Sequence, residues 1–233
     1  MAELRTGGTT AAWKIFGLFG LLAVVCTLSH ELGHIGVAHW LGYATKLHYA
    51  SMEYDYETEI YAGRCGMPAS AAEDVDAYAA CRRRAEQRDR LLISLGGPLQ
   101  TMITGTIGLV WLLWDRRKRC SADPLSRAGW YAALLALFWS RQVFNQLAYG
   151  LRWIRGAIDA PTGGDEAEIA GLLDIPAWSL SAPTALIGVV VCLTVVGYGV
   201  PAPLRCRFFS AGVAGSTVGF GLWRGLIGPY LLP

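Results

Sequence analysis

Charge is scarce in this sequence. Lys, Arg, Asp and Glu make up 16% of the 233 residues, where a soluble domain carries about a quarter. The formal net charge is +2, and no basic stretch interleaves with aromatics, so there is nothing with which to grip a nucleic acid. The six cysteines (Cys26, Cys65, Cys81, Cys120, Cys192 and Cys206) contain no CxxC pair, which excludes a zinc ribbon or a thioredoxin-like dithiol. Histidine is scarce as well. His30, His34, His39 and His48 are the only four, too few for the several clusters of a membrane di-iron oxygenase. There is no internal repeat. No small-x-small cleavage site follows the first apolar run, so that run reads as a retained anchor rather than a secretory signal.

What the chain has instead is apolar surface: 53% of its residues are hydrophobic. Crossing a bilayer takes about 20 such residues in a row. Five windows qualify or nearly so, at 12–42, 91–114, 128–154, 183–200 and 208–223. They run continuously rather than alternating, and in lipid a helix satisfies its own backbone. The expected fold is therefore all-α: one membrane-embedded domain over 1–233, with about five spanning helices in a multi-pass protein of the cell membrane. Trp13, Trp40, Trp114, Trp130, Trp178 and Trp223 fall near the predicted ends, as interface anchors do. Gly212, Gly215 and Gly219 would let the last helix approach a neighbour closely.

Two polar segments separate these helices, at 43–90 and 155–182. The first begins "TKLHYASMEYDYETEIYA", which suits a short hairpin or re-entrant strand, and ends over 71–90 as an amphipathic surface helix. Cys65 and Cys81 both lie within it and can pair if it faces an oxidising compartment. Sidedness is not legible, because "DRRKRC" after the second window and the run Cys81–Arg90 are both basic.

The first window ends in chemistry. In "LSHELGHIGVAHW", His30 and His34 stand four residues apart, one helical turn, with Glu31 between them. This HExxH pattern lets two imidazoles hold one zinc ion while the glutamate acts as general base. Ionisable groups are costly at membrane depth and mark function by default. His39 cannot join them: it points roughly 140° away from His34 and lies about 13 Å along the axis from His30. His48 has no role in this reading. Zinc then needs a further ligand, and a carboxylate must supply it. "APTGGDEAEIAGLLDI" offers Asp165, near a helix N-terminus behind Gly163 and Gly164, with Asp159 and Glu166 as alternatives. In the third window Arg141, Gln142, Asn145 and Gln146 stand among apolar residues, and Asn145 could hold the backbone of an unwound substrate. In the second, Gly96, Gly97 and Pro98 could break the helix and leave substrate room.

In order, "HELGH", "GGPLQ", "FNQL" and "GGDEAEIAGLLDIP" resemble the motifs of the site-2 protease family, the intramembrane zinc metalloproteases, across residues 30 to about 176. The resemblance implies His30, His34 and Asp165 as ligands of one Zn2+ per chain and Glu31 as base. It implies Asn145, Gly97 and Pro98 on the substrate side, and a transmembrane protein as substrate. It also implies a site toward the cytoplasm, so that residues 43–90 begin on that side. The chain departs from the family where Gln146 follows Asn145 and Glu166 follows Asp165. The competing reading is a non-catalytic membrane scaffold that keeps the fold and binds a partner helix.

Overall fold

The computed structural model describes residues 8–55, 58–66, 75–118 and 125–233; Cys120 and the first four residues of the expected 71–90 helix lie outside them. Gly8–Trp40 form helix α1. It ends where Gly42 takes φ +94, with Gly42 N–H on His39 O and Tyr43 N–H on Ala38 O, each 3.0 Å. This is a Schellman turn, and glycine supplies its left-handed residue without penalty. The chain then makes an antiparallel hairpin, β1 (Thr45–Leu47) and β2 (Met52–Tyr54), with Lys46 opposite Glu53. Helix α2 (Thr58–Cys65) follows.

Helix α3 runs unbroken from Val75 to Arg117, 43 residues or about 65 Å. This corrects two expectations. The amphipathic segment before Arg90 is no separate surface helix but the first turns of α3. Nor do Gly96, Gly97 and Pro98 break it. Thr101 Oγ1 donates to Pro98 O at 2.9 Å and lies 3.2 Å from Gly97 O, within a helix that a proline would otherwise weaken.

The third window is two helices, α4 (Arg127–Ala136) and α5 (Ser140–Ile154), joined by a 3-10 turn at Leu137–Trp139. Ser126 caps α4 by accepting from Gly129 N–H at 2.8 Å. After α5 come α6 (Asp165–Leu172), α7 (Trp178–Thr194, continuing as a π-turn to Gly199), α8 (Arg205–Leu222, likewise to Ile227) and the short α9 (Gly228–Leu231). Helix α1 lies between α3 and α8; α4 packs on α3, α5 on α7, and α6 on both α3 and α7.

All-α is therefore right apart from the hairpin, and every expected window is helical. Two of the helical stretches, Ala12–Trp40 and Trp178–Gly199, are long and apolar enough to cross a bilayer. In the others Gly96, Gly97, Pro98 and Gln100 dilute the second window, and Arg141, Gln142, Asn145 and Gln146 interrupt the third.

Glycines set the helix spacing. A Cβ on Gly33 would lie 2.5 Å from Gly96 O, and one on Gly96 would lie 2.5 Å from Gly33 O, so α1 and α3 touch backbone to backbone. On α8, Gly212 faces the Phe19 ring, Gly215 the Phe16 backbone and Gly219 the Gly20 backbone, which is the close approach the glycine spacing suggested. Of the six tryptophans read as anchors, Trp13, Trp40, Trp114 and Trp178 are exposed, but Trp223 is buried and donates to Tyr49 O at 2.6 Å. Trp130 packs against Phe208, ring centroids 5.9 Å apart. Those two are core residues.

Cys65 and Cys81 form a disulfide, with Cα atoms 6.1 Å apart and a sequence separation of 16. Beside it lies a network that pattern reading missed. Tyr43 Oη donates to Asp89 Oδ2 at 2.6 Å and lies 2.5 Å from Tyr61 Oη, while Arg64 pairs with Asp89 and donates to Leu41 O. Burial and the adjacent carboxylate push the Tyr43 hydroxyl far above its ordinary pKa. Closing a loop of ~15 residues is worth roughly 3 kcal/mol. Cys65→Ser is thus expected to lower thermal stability. A melting curve unchanged by the substitution would show that the bond adds nothing.

Candidate metal centre

Helix periodicity aims both imidazoles at one point. His30 Nε2 and His34 Nε2 lie 3.1 Å apart, their rings edge to face. Asp165 Oδ2 is 2.8 Å from His30 Nε2, and Asp165 Oδ1 is 3.5 Å from His34 Nε2. One ligand atom from each of the three residues falls within 4.8 Å of the others. Among the described residues this is the group able to hold a metal ion.

The surroundings prepare it. His34 Nδ1 lies 2.6 Å from Ile93 O, and a carbonyl can only accept, so Nδ1 carries the proton and Nε2 is left for a metal. Gly97 N–H lies 3.3 Å from the same Nδ1; with that nitrogen already a donor, this is a close approach and not a second bond. His30 Nδ1 is buried without a hydrogen-bond partner. Gly97 leaves the space both rings need: a Cβ there would lie 2.5 Å from His30 Nε2 and closer still to His34 Nε2. It was expected to touch substrate. Its place is against the ligand atoms instead, and Pro98 is buried beside it in α3.

Asp165 opens α6, immediately after Gly164, whose φ of 71 suits glycine alone. Gly163 lies flat against the Tyr149 ring of α5, where a Cβ would collide. These two glycines swing the acid back over α1. Burial alone would raise the Asp165 carboxyl, but the His30 hydrogen bond and the facing His34 ring outweigh it and hold the group well below the usual carboxylate range. An ionised carboxylate suits a cation. The alternatives are elsewhere: Asp159 is exposed, and Glu166 is buried, pushed upward in pKa by that burial, and outside the cluster.

Glu31 is 7% exposed and lines a cavity of about 710 Å³ together with His34 and Asp165. Asn145, Phe144 and Arg141 of α5 form part of its wall, and Ser51, Met52 and Tyr54 of the hairpin another part. Asn145 thus reaches the cavity. His39 is exposed and bonds Thr45 Oγ1 at 2.9 Å; His48 bonds Pro233 O at 2.6 Å. Neither approaches the centre. The Ile93 carbonyl and the Gly163–Tyr149 contact went unread, though the Gly-Gly pair before Asp165 was the visible signal for the second.

Compared with protein-family models, curated proteins and solved structures, the chain shows no significant match.

Proposed function

We propose that this chain is a multi-pass intramembrane zinc endopeptidase of the site-2 type. The observation that carries the reading is the convergence of His30, His34 and Asp165 beside Glu31 at the wall of one cavity. Two nitrogens and a carboxylate oxygen are the donor set of a catalytic zinc site, which keeps a position open for water or substrate.

Membrane residence is supported by what the helices leave outside. Leu21 on α1, Ile103 on α3, Leu147 on α5, Leu186 on α7 and Phe209 on α8 are each more than half exposed, at 57–66%. A soluble monomer rarely carries so continuous an apolar face, and lipid would cover it on all five helices. The Cys65–Cys81 bond favours an oxidising compartment around the α2–α3 end. That end is also the end of α1 nearest His34. The basic Arg116–Arg117–Lys118, at the far end of α3, then suits the cytoplasm. This orientation is opposite to the one the family resemblance implies.

When bound, zinc would supply a Lewis acid that polarises the scissile carbonyl and acidifies a water. The protein's groups do the rest. Glu31 accepts a proton from the attacking water and returns it to the departing amine as the C–N bond breaks. Asn145 hydrogen-bonds the backbone of a locally unwound substrate. The buried bundle keeps bulk water away from the reacting bond.

Zinc stoichiometry on purified protein tests the site. Wild type should hold about one ion per chain, Asp159→Asn the same, and Asp165→Asn far less, since a missing third ligand costs much of a site's affinity. Full zinc in Asp165→Asn would remove Asp165 from the centre. Absence of zinc from the wild type would favour the scaffold reading.

A further inference from the structure

The cavity wall contributed by α5 is a single stripe. Arg141, Asn145, Ala148 and Arg152 stand at i, i+4, i+7 and i+11, within a narrow arc of one helix face. Arg224, from the turn after α8, lines the same space. The acids that line it are Glu31, Asp165 and Glu168. Asp165 is committed to the histidines, and Glu168 is paired with Arg90 at 2.9 Å. Glu31 is thus the one uncommitted carboxylate facing three guanidiniums.

None of the three arginines has an ion-pair partner among the described residues. Arg152 lies against the Tyr149 ring and Arg224 against the Phe220 ring, their guanidinium carbons 5.8 and 5.5 Å from the centroids. Arg141 Nη1 is buried with no hydrogen-bond acceptor. A buried guanidinium nitrogen without an acceptor is unfavourable, and a carboxylate offering two oxygens would supply one. Ala148, between the two arginines of the stripe, leaves the floor flat.

From this we infer that the cavity selects a peptide segment bearing acidic side chains. The eleven-residue separation of Arg141 and Arg152 spans about 16 Å on a helix, the length of about five residues of extended chain. One acid would meet Arg141 near the bond that Glu31 serves. A second, about five residues on, would meet Arg152 and Arg224 at the cavity mouth. A lipid headgroup fits the two outer arginines but not Arg141, whose Nη1 is buried in the cavity that His34 and Asp165 also line.

The inference rests on the protease reading, and a binding measurement separates the two. The probes are two fluorescent single-span peptides with extended flanks, one carrying Asp at two positions five residues apart and the other Asn. The protein is full-length, zinc-loaded Glu31→Gln in phosphatidylcholine nanodiscs. The Asp peptide is expected to bind at least ten-fold more tightly. Arg141→Gln with Arg152→Gln in the same background should reduce that preference below two-fold at unchanged zinc content. Equal binding of the two peptides overturns the inference, as does a lack of saturable binding, or a preference that survives in the double variant. So does a preference that vanishes when phosphatidylglycerol replaces a third of the lipid. If wild type binds the Asp peptide selectively but never cleaves it, the protease reading fails and the acid-binding cavity stands.

Discussion

Glu31→Gln should retain one zinc per chain while cleaving a co-expressed membrane substrate about 10²–10⁴-fold more slowly, the usual contribution of a positioned acid–base group. Glu31 is adjacent in sequence to His30 but turned away from the ligand atoms, and its carboxylate lines the cavity rather than joining the cluster. Glutamine keeps its volume and removes only the basic oxygen, so metal affinity and activity should separate. Side-by-side measurement of zinc content and substrate half-life decides the matter. Cleavage within ten-fold of wild type would mean that some other group takes the proton, and the mechanism would have to be abandoned.

The second large effect is predicted for a residue with no functional group. In Gly97→Ala one methyl group would enter the space where both Nε2 atoms converge, 2.5 Å from one and nearer the other. Zinc–nitrogen bonds need about 2.0–2.1 Å with the rings correctly turned. Either the rings rotate away or α3 retreats from α1, and the contact of Gly33 with Gly96 one residue earlier allows little retreat. Zinc should fall below about a tenth of an ion per chain, and cleavage with it; overpacking of this kind also costs about 1–3 kcal/mol of stability. Gly36→Ala is the control, because a Cβ there meets nothing within 4 Å, so its zinc content should match wild type. Circular dichroism on both variants separates loss of the centre from loss of the fold. A fully loaded Gly97→Ala would show that the rings have freedom the packing does not suggest.

Much of the site was legible because it obeys local rules. The four-residue spacing of His30 and His34 survives any tertiary arrangement, and the Gly-Gly pair announced that Asp165 would begin a helix. What could not be read depends on contacts between distant segments. Gly97 looked like a helix breaker since its partners, two rings on α1, are invisible in the sequence around it. Trp223 looked like an interface anchor because its acceptor, Tyr49 O, lies 174 positions earlier. Asp89 falls in what reads as a surface helix and Tyr43 opens a polar segment, yet each is almost fully buried in one network. The 3-10 turn at Leu137–Trp139 has no proline or glycine to mark it; Trp139 fills the space over Gly105 and Gly188 instead, and Trp139 Nε1 donates to Thr106 Oγ1 at 3.2 Å.

The pairing of α1 with α8 carries a consequence for biosynthesis. The ribosome delivers the two imidazoles first, Asp165 131 residues after His34, and the glycine face of α8 that packs on α1 later still. Until Asp165 is made, His30 and His34 lack the carboxylate that faces them in the folded chain. A nascent chain can therefore have no complete ion cage before α6 emerges, and no tightly held α1 before α8 does. Under the protease reading proposed above, hydrolysis could begin only once both of those later segments had been made.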